Sequence, residues 1–185
     1  MDNGAANYRR FLDGDTTGIE EVVRYYKDGL ILYLYGYVND LHAAEDLMQE
    51  TFIKLLVKRP KFSGESTFKT WLYSIGKKTA MKYLSSASKR AETALESVED
   101  TLAEKSELER DYLREEDKKV LYRAMQQLTP EYRQVLYLVY IEGFNHKEVG
   151  EIMKKSRRQI TNLIYRAKNS LKERLSKEGY YYEEL

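Results

Sequence analysis

Two helix-start signals standing eleven residues apart constrain this chain more than any other feature. Asn145 is followed by Glu148, and Ser156 by Gln159, at the spacing in which a cap side chain and a downstream acid or amide satisfy each other's backbone N–H groups. Starts this close leave room only for a short helix, a tight turn and a second helix. In that second helix Ile160, Ile164, Ala167, Leu171 and Leu175 recur at three- and four-residue steps and must face a core. The opposite face carries Arg157, Arg158, Gln159, Thr161, Asn162, Tyr165, Arg166, Lys168 and Lys172, with Lys155 and Ser156 in the turn before it. Leu163 is read as outward, making that face less basic there. From Lys154 to Lys177 nine Lys or Arg stand against one acid, Glu173. Such an excess on one helix is the footprint of a phosphate-bearing partner.

That basic segment is hidden in the totals. The 185 residues carry a net charge of only +1, because 128–185 hold 11 basic and 8 acidic groups, 85–127 hold 8 and 11, and 1–84 hold 12 and 11. Within the first part, 61–84 form a local patch of five Lys against Glu65 alone. For polyanion binding the patches matter more than the sum. With no Cys the chain has no disulfide, thiolate metal site or thiol nucleophile, and with two His a zinc site is not expected. Neither a cofactor nor a metal is expected. The longest apolar run, Leu30 to Val38, is too short to span a bilayer and the first residues lack a signal-peptide layout, so a cytoplasmic protein without membrane insertion is expected.

The fold class expected is all-α. Ile19, Val22, Val23, Tyr26, Leu30, Tyr33, Leu34 and Tyr37 follow helical spacing, although Leu30 to Tyr37 alone would also suit a buried strand. After Asn39-Asp40 the helical period resumes through Leu41, Ala44, Leu47, Met48, Phe52, Leu55 and Leu56 to Pro60. A third helix puts Phe68, Trp71, Leu72, Ile75, Thr79 and Tyr83 on its inner face and Lys69, Lys77, Lys78 and Lys82 elsewhere. From Ser85 to about Asp111 the composition turns to Ser, Ala and Glu, which predicts a linker with partial helix at most. A helix from about Asp111 to Gln127 and another opened by Thr129-Pro130, with Tyr132, Val135, Leu136, Val139 and Tyr140 inward, complete a four-helix C-terminal module. The expected domains are 1–86, a linker at 87–111, 112–178, and a tail at 179–185.

Two further surfaces invite a partner. On the second helix Glu45 and Gln49 share one line and Asp46 and Glu50 the next, beside Phe52, an arrangement fit to meet a basic helix. The plain alternative is a solvated face complementing the helix dipole. The loop at 58–69 mixes Lys61, Phe62, Ser66, Phe68 and Lys69, supplying π-faces and charge for unstacked bases. Its rings would serve equally as core anchors.

In this order, the features resemble the extracytoplasmic-function group of bacterial sigma factors, the subunits that give RNA polymerase its promoter specificity. The resemblance lies in Ala44 to Phe52, in Phe68-Lys69-Thr70-Trp71-Leu72, in Leu128 to Arg133, in Glu148 to Ile152 and in Arg166-Ala167-Lys168. It implies that Glu45, Asp46, Gln49, Glu50 and Phe52 dock on the clamp of the large β′ subunit of core polymerase. It implies that Lys61, Phe62, Ser66, Phe68, Lys69, Lys77, Lys78 and Lys82 capture the opened −10 strand. The turn and helix from Lys155 to Lys168 would then enter the major groove at the −35 element. An anti-sigma factor is a further partner implied. Lys78, Lys82 and Ser85 depart from the family's usual Asn, Asp and Arg, Lys154-Lys155 replace the turn's usual Gly and apolar residue, and Thr161-Asn162-Leu163 replace a more basic triplet. A free-standing helix-turn-helix regulator is the alternative, but no self-complementary helix flanks the reader. An enzyme would have only Glu45, Asp46 and Glu50 to work with.

Overall fold

The computed structural model describes residues 3–93 and 116–177, and the regular elements among them are all helical. The chain divides into two compact units, one N-terminal and one C-terminal. The expected linker beyond residue 93, the start of the next helix at 111–115, residue 178 and the tail at 179–185 lie outside the described residues.

The N-terminal unit has four helices, α1 (Gly4–Leu12), α2 (Thr17–Val38), α3 (Leu41–Lys58) and α4 (Phe68–Thr93). Nothing in the sequence pattern announces α1, whose buried side chains are Tyr8 and Phe11. Packing creates it: the Tyr8 hydroxyl donates to the Pro60 carbonyl at 2.8 Å, and its ring lies 5.4 Å from Trp71 and 5.5 Å from Phe68. A Cβ at Gly18 would lie 2.2 Å from the Asn7 carbonyl oxygen, so α2 meets α1 this closely only with glycine there. The ambiguous run from Leu30 to Tyr37 is helix, continuous with the period before it. Asn39 ends α2 in the left-handed region (φ 53°), and the Asp40 carboxylate caps α3 by accepting the Ala43 N–H at 2.7 Å.

Helix α4 runs to Thr93, past the end expected near residue 85. Serine weakens a helix only slightly, and no Gly or Pro stands between Gly76 and Pro130 to stop it. Its inner face also differs from expectation at one position. Tyr83 is exposed, and Tyr73 takes the buried place, 5.0 Å from Tyr33. The Tyr33 hydroxyl meets that of Tyr37 at 3.0 Å, and burial raises the Tyr37 phenol to about 12.

The C-terminal part of the chain contains α5 (Glu116–Gln126), α6 (Pro130–Leu136), α7 (His146–Met153) and α8 (Arg157–Lys177). Thr129 caps α6 with Pro130 in the first turn, where its missing N–H costs nothing. Arg133 closes the preceding helix, donating to the carbonyls of Gln126 at 2.8 Å and Met125 at 3.2 Å. After Leu136 the helix widens over Tyr137–Ile141, with the Glu142 N–H reaching the Tyr137 carbonyl five residues back. A widened turn offsets the angular register that α-helical spacing assumes. Tyr140, expected inward, is therefore 57% exposed, while Leu138 is buried. Gly143 (φ 71°) then reverses the chain.

Candidate functional site

In the C-terminal unit the two start signals close as reciprocal caps. The Asn145 N–H donates to Glu148 Oε2 at 2.9 Å and the Glu148 N–H returns to Asn145 Oδ1 at 3.1 Å. The Ser156 N–H donates to Gln159 Oε1 at 2.8 Å, and the Gln159 N–H to Ser156 Oγ at 3.3 Å. Between them Lys154 takes a left-handed conformation (φ 56°) and the Lys155 N–H bonds the Gly150 carbonyl at 3.0 Å. A Cβ at Gly150 would stand 2.7 Å from the Lys155 carbonyl oxygen, so the tightness of the turn depends on that glycine.

On α8 the core face holds Ile160, Ile164, Ala167, Leu171 and Leu175 as expected, and Leu163 with them at 8% exposure. Leu163 lies three residues after Ile160 and four before Ala167, which places it on the buried stripe, and the outward face is not diluted by it. Arg157, Arg158, Thr161, Asn162, Tyr165 and Arg166 are exposed. Other candidates are partly committed. Ser156 and Gln159 serve the cap, Thr161 Oγ1 donates to the Arg157 carbonyl at 3.1 Å, and Lys155 Nζ pairs with Glu131 at 2.8 Å. Lys168 Nζ lies 5.9 Å above the Tyr140 ring. Glu173, the lone acid of the segment, accepts from Lys177 at 2.9 Å, and that hydrogen bond holds its carboxyl below the ordinary range.

On α3, Asp46, Gln49 and Glu50 are exposed and Glu45 is half-buried, 3.9 Å from His42. Phe52 is 4% exposed, so its ring belongs to the core rather than to the face expected to meet a partner; it stands on the line of Ala44, Leu47 and Leu55. The side chains that continue the exposed face of α3 are Ile53, Leu56 and Val57, exposed by 52%, 41% and 76%. They follow Gln49 and Glu50 at helical steps, giving a stripe acidic at its start and apolar at its end. Leu56, which helical spacing alone assigns to the core, belongs to this stripe. The signal that reveals the stripe is that the run from Phe52 to Val57 is apolar on more sides than one core can cover.

The loop and α4 bring a third group together. Phe62 is half-buried, its ring 5.6 Å from Phe68 and 5.3 Å from Trp71. Phe68 is 2% exposed and packs on Tyr8, Tyr26 and Trp71, so it braces Phe62 and is closed to a ligand. Lys61 is exposed and Ser66 half-buried in the loop. Lys69 Nζ lies 5.8 Å over the Tyr73 ring, Lys77 is half-buried, and Lys78 and Lys82 project outward. Among the described residues no cluster of His, Cys, Asp or Glu could hold a metal ion, and no helix is long and apolar enough to cross a membrane.

Comparison with known proteins follows the same division. The family Sigma-70 region 2 matches residues 22–90, and Sigma-70, region 4 matches residues 118–171. The chain is 28% identical over 166 residues to the RNA polymerase sigma-H factor of Pseudomonas aeruginosa, covering 85% of this chain and 86% of that protein. It is also 28% identical over 154 residues to the ECF RNA polymerase sigma factor SigM of Bacillus subtilis, covering 83% and 93%. In fold it is similar to CnrH, solved with the cytosolic domain of CnrY, with a TM-score of 0.67 at 18% identity over 95% of this chain and 98% of that one. A TM-score of 0.62 at 21% identity, over 85% and 96%, relates it to the sigma factor RpoE solved with the anti-sigma factor NepR from Bartonella quintana.

Proposed function

Since the chain belongs to the extracytoplasmic-function group of the sigma-70 family, we propose that it directs core RNA polymerase to specific promoters and aids their melting. The observation that carries this is the succession of a region 2 match and a region 4 match in one chain, the second running into a helix whose exposed face carries Arg157, Arg158 and Arg166. The work is done by binding energy, with no bond chemistry of its own. In α8, Arg157, Arg158, Asn162, Tyr165 and Arg166 meet the −35 element from the major groove. Ser156 and Gln159 hold the helix start that aims them. Contacts to phosphate fix the register, and each good bidentate contact to a base edge contributes about 1–3 kcal/mol of discrimination.

The stripe on α3 docks on the clamp of the β′ subunit. Asp46, Gln49 and Glu50 meet polar and basic groups, and the exposed Ile53, Leu56 and Val57 supply the apolar area that an acidic face lacks. Loop residues Lys61, Phe62, Ser66 and Lys69 hold the opened −10 strand, with Phe62 as the ring available to an unstacked base and Lys77, Lys78 and Lys82 following the backbone. The two units form the functional domains, and an anti-sigma factor is a further partner, as the sigma factor of Bartonella quintana has one. Acting on promoter DNA puts the protein in the cytoplasm.

Two variants and one assay separate the surfaces. Asp46→Ala combined with Gln49→Ala should weaken assembly with core polymerase and leave DNA contacts intact, while Arg158→Ala should do the reverse. Run-off transcription should fall in both. If both variants lose only DNA affinity, the role given to α3 is wrong, and tight operator-like binding by the isolated protein would count against the sigma reading itself.

A further inference from the structure

Beneath the polar start of the α3 stripe lies a charge that composition does not single out. Lys54, one turn after Glu50, has only a quarter of its side chain exposed, and its ammonium group is shared. It pairs with Glu50 Oε1 at 2.9 Å and donates to Thr79 Oγ1 at 2.7 Å, across the gap to α4. Thr79 is buried and gives its own hydroxyl proton to the Ile75 carbonyl at 3.0 Å, which orients its lone pairs toward Lys54. Thr51, also buried, donates to the Leu47 carbonyl at 2.7 Å and lies 3.4 Å from Thr79 Oγ1. A polar bridge thus runs from the exposed carboxylate of Glu50 through Lys54 to the turn of α4 that carries Lys78 and Lys82.

From this geometry we infer that Lys54 is a positioning residue linking the partner-docking face of α3 to the DNA-facing turn of α4, a role that rests on the sigma-factor reading of both faces. With only a quarter of its side chain exposed, Lys54 needs partners for its charge, since burying a charge unpaired is costly. A basic group of polymerase arriving at Glu50 competes for the carboxylate that Lys54 uses and shifts the weight of Lys54's bonding onto Thr79. Docking at one face is therefore felt at the other, 25 residues away in sequence. In the unbound protein the same bridge holds the Glu50 side chain in place and offsets its field with the Lys54 ammonium, leaving Asp46 as the stronger attractor for a basic partner.

A double-mutant cycle tests the link in assembled polymerase, using a forked DNA whose −10 region carries a single strand. In the wild-type background Glu50→Gln should lower both assembly with core and capture of the fork, the latter by roughly 3- to 10-fold, in the lower part of the range of coupling for side chains in one network. In a Lys54→Met background Glu50→Gln should lower assembly alone, with fork capture by saturated holoenzyme unchanged. Thr79→Val, which keeps shape and removes the acceptor, should uncouple the two in the same way and stands in should Lys54→Met fail to fold. If Glu50→Gln reduces fork capture equally in all three backgrounds, Lys54 is structural only and the inference falls. Loss of core assembly by none of the Glu50 variants would instead overturn the docking role of α3.

Discussion

Lys154 shows how one residue can be asked for two incompatible things. The turn between α7 and α8 needs a left-handed backbone, which Lys154 adopts at φ 56° against the clash of its own Cβ. A positive charge at the foot of the reading helix favours DNA. Lys154→Gly should therefore stabilise the helix-turn-helix by up to about 1 kcal/mol, glycine's extra unfolded entropy offsetting part of the relief, and raise its melting midpoint by about 4 °C. The same variant should bind a −35 duplex more weakly at low salt. Calorimetry and binding on one preparation read both, and a lower melting midpoint would show that the lysine side chain makes interactions that outweigh its strain. Single residues are legible in the sequence where local chemistry decides, as in the caps at Asn145 and Ser156, and illegible where burial decides. Phe52, Phe68 and Leu163 look alike as exposed or buried in sequence; only the neighbours that cover them settle which they are.

At the level of elements, the helix-turn-helix is readable because two capping boxes specify where helices start, and local hydrogen bonds then enforce it. Gly150 completes that specification from the other side. With a Cβ only 2.7 Å from the Lys155 carbonyl oxygen, Gly150→Ala must push the turn open, and no flexible side chain is there to yield. The expected cost is about 1–3 kcal/mol, as for other overpacked sites, together with loss of binding to the −35 duplex from misalignment of α8. Circular dichroism against temperature and a duplex titration check it; an unchanged midpoint with full binding would mean that the turn adapts without strain. Elements escape the sequence pattern where tertiary packing overrides it. Helix α1 exists because Tyr8 and Phe11 find Phe68, Trp71 and Pro60, residues far along the chain. The widening at Tyr137–Ile141 has no period of its own, so counting in α-helical steps misplaces Tyr140. The end of α4 falls beyond the change of composition at Ser85 because a shift toward Ser, Ala and Glu supplies no stopping residue.

For the whole molecule, a net charge of +1 and a pI near 7.8 predict little affinity for DNA, yet each unit carries a basic surface offset by acids elsewhere. In the proposed roles the acids on α3 meet a protein and the bases on α8 and the −10 loop meet nucleic acid, and a near-neutral total is then what two kinds of partner require. Two linked sites gain from each other by raising effective concentration, but only while both are engaged. Salt separates their contributions, because removing one phosphate-binding cation flattens the slope of log affinity against log salt by about 0.9 on duplex DNA. Holoenzyme carrying Arg157→Ala and Arg166→Ala should show a slope shallower by about 2 on a −35 duplex fragment, and its slope on a −10 fork without upstream duplex should not change. Lys78→Ala with Lys82→Ala should flatten the slope on the fork and leave the upstream fragment as it was. Equal flattening on both DNAs by either pair would mean that the charge acts as a diffuse field over the whole protein, and the division of labour between α8 and α4 would have to be given up.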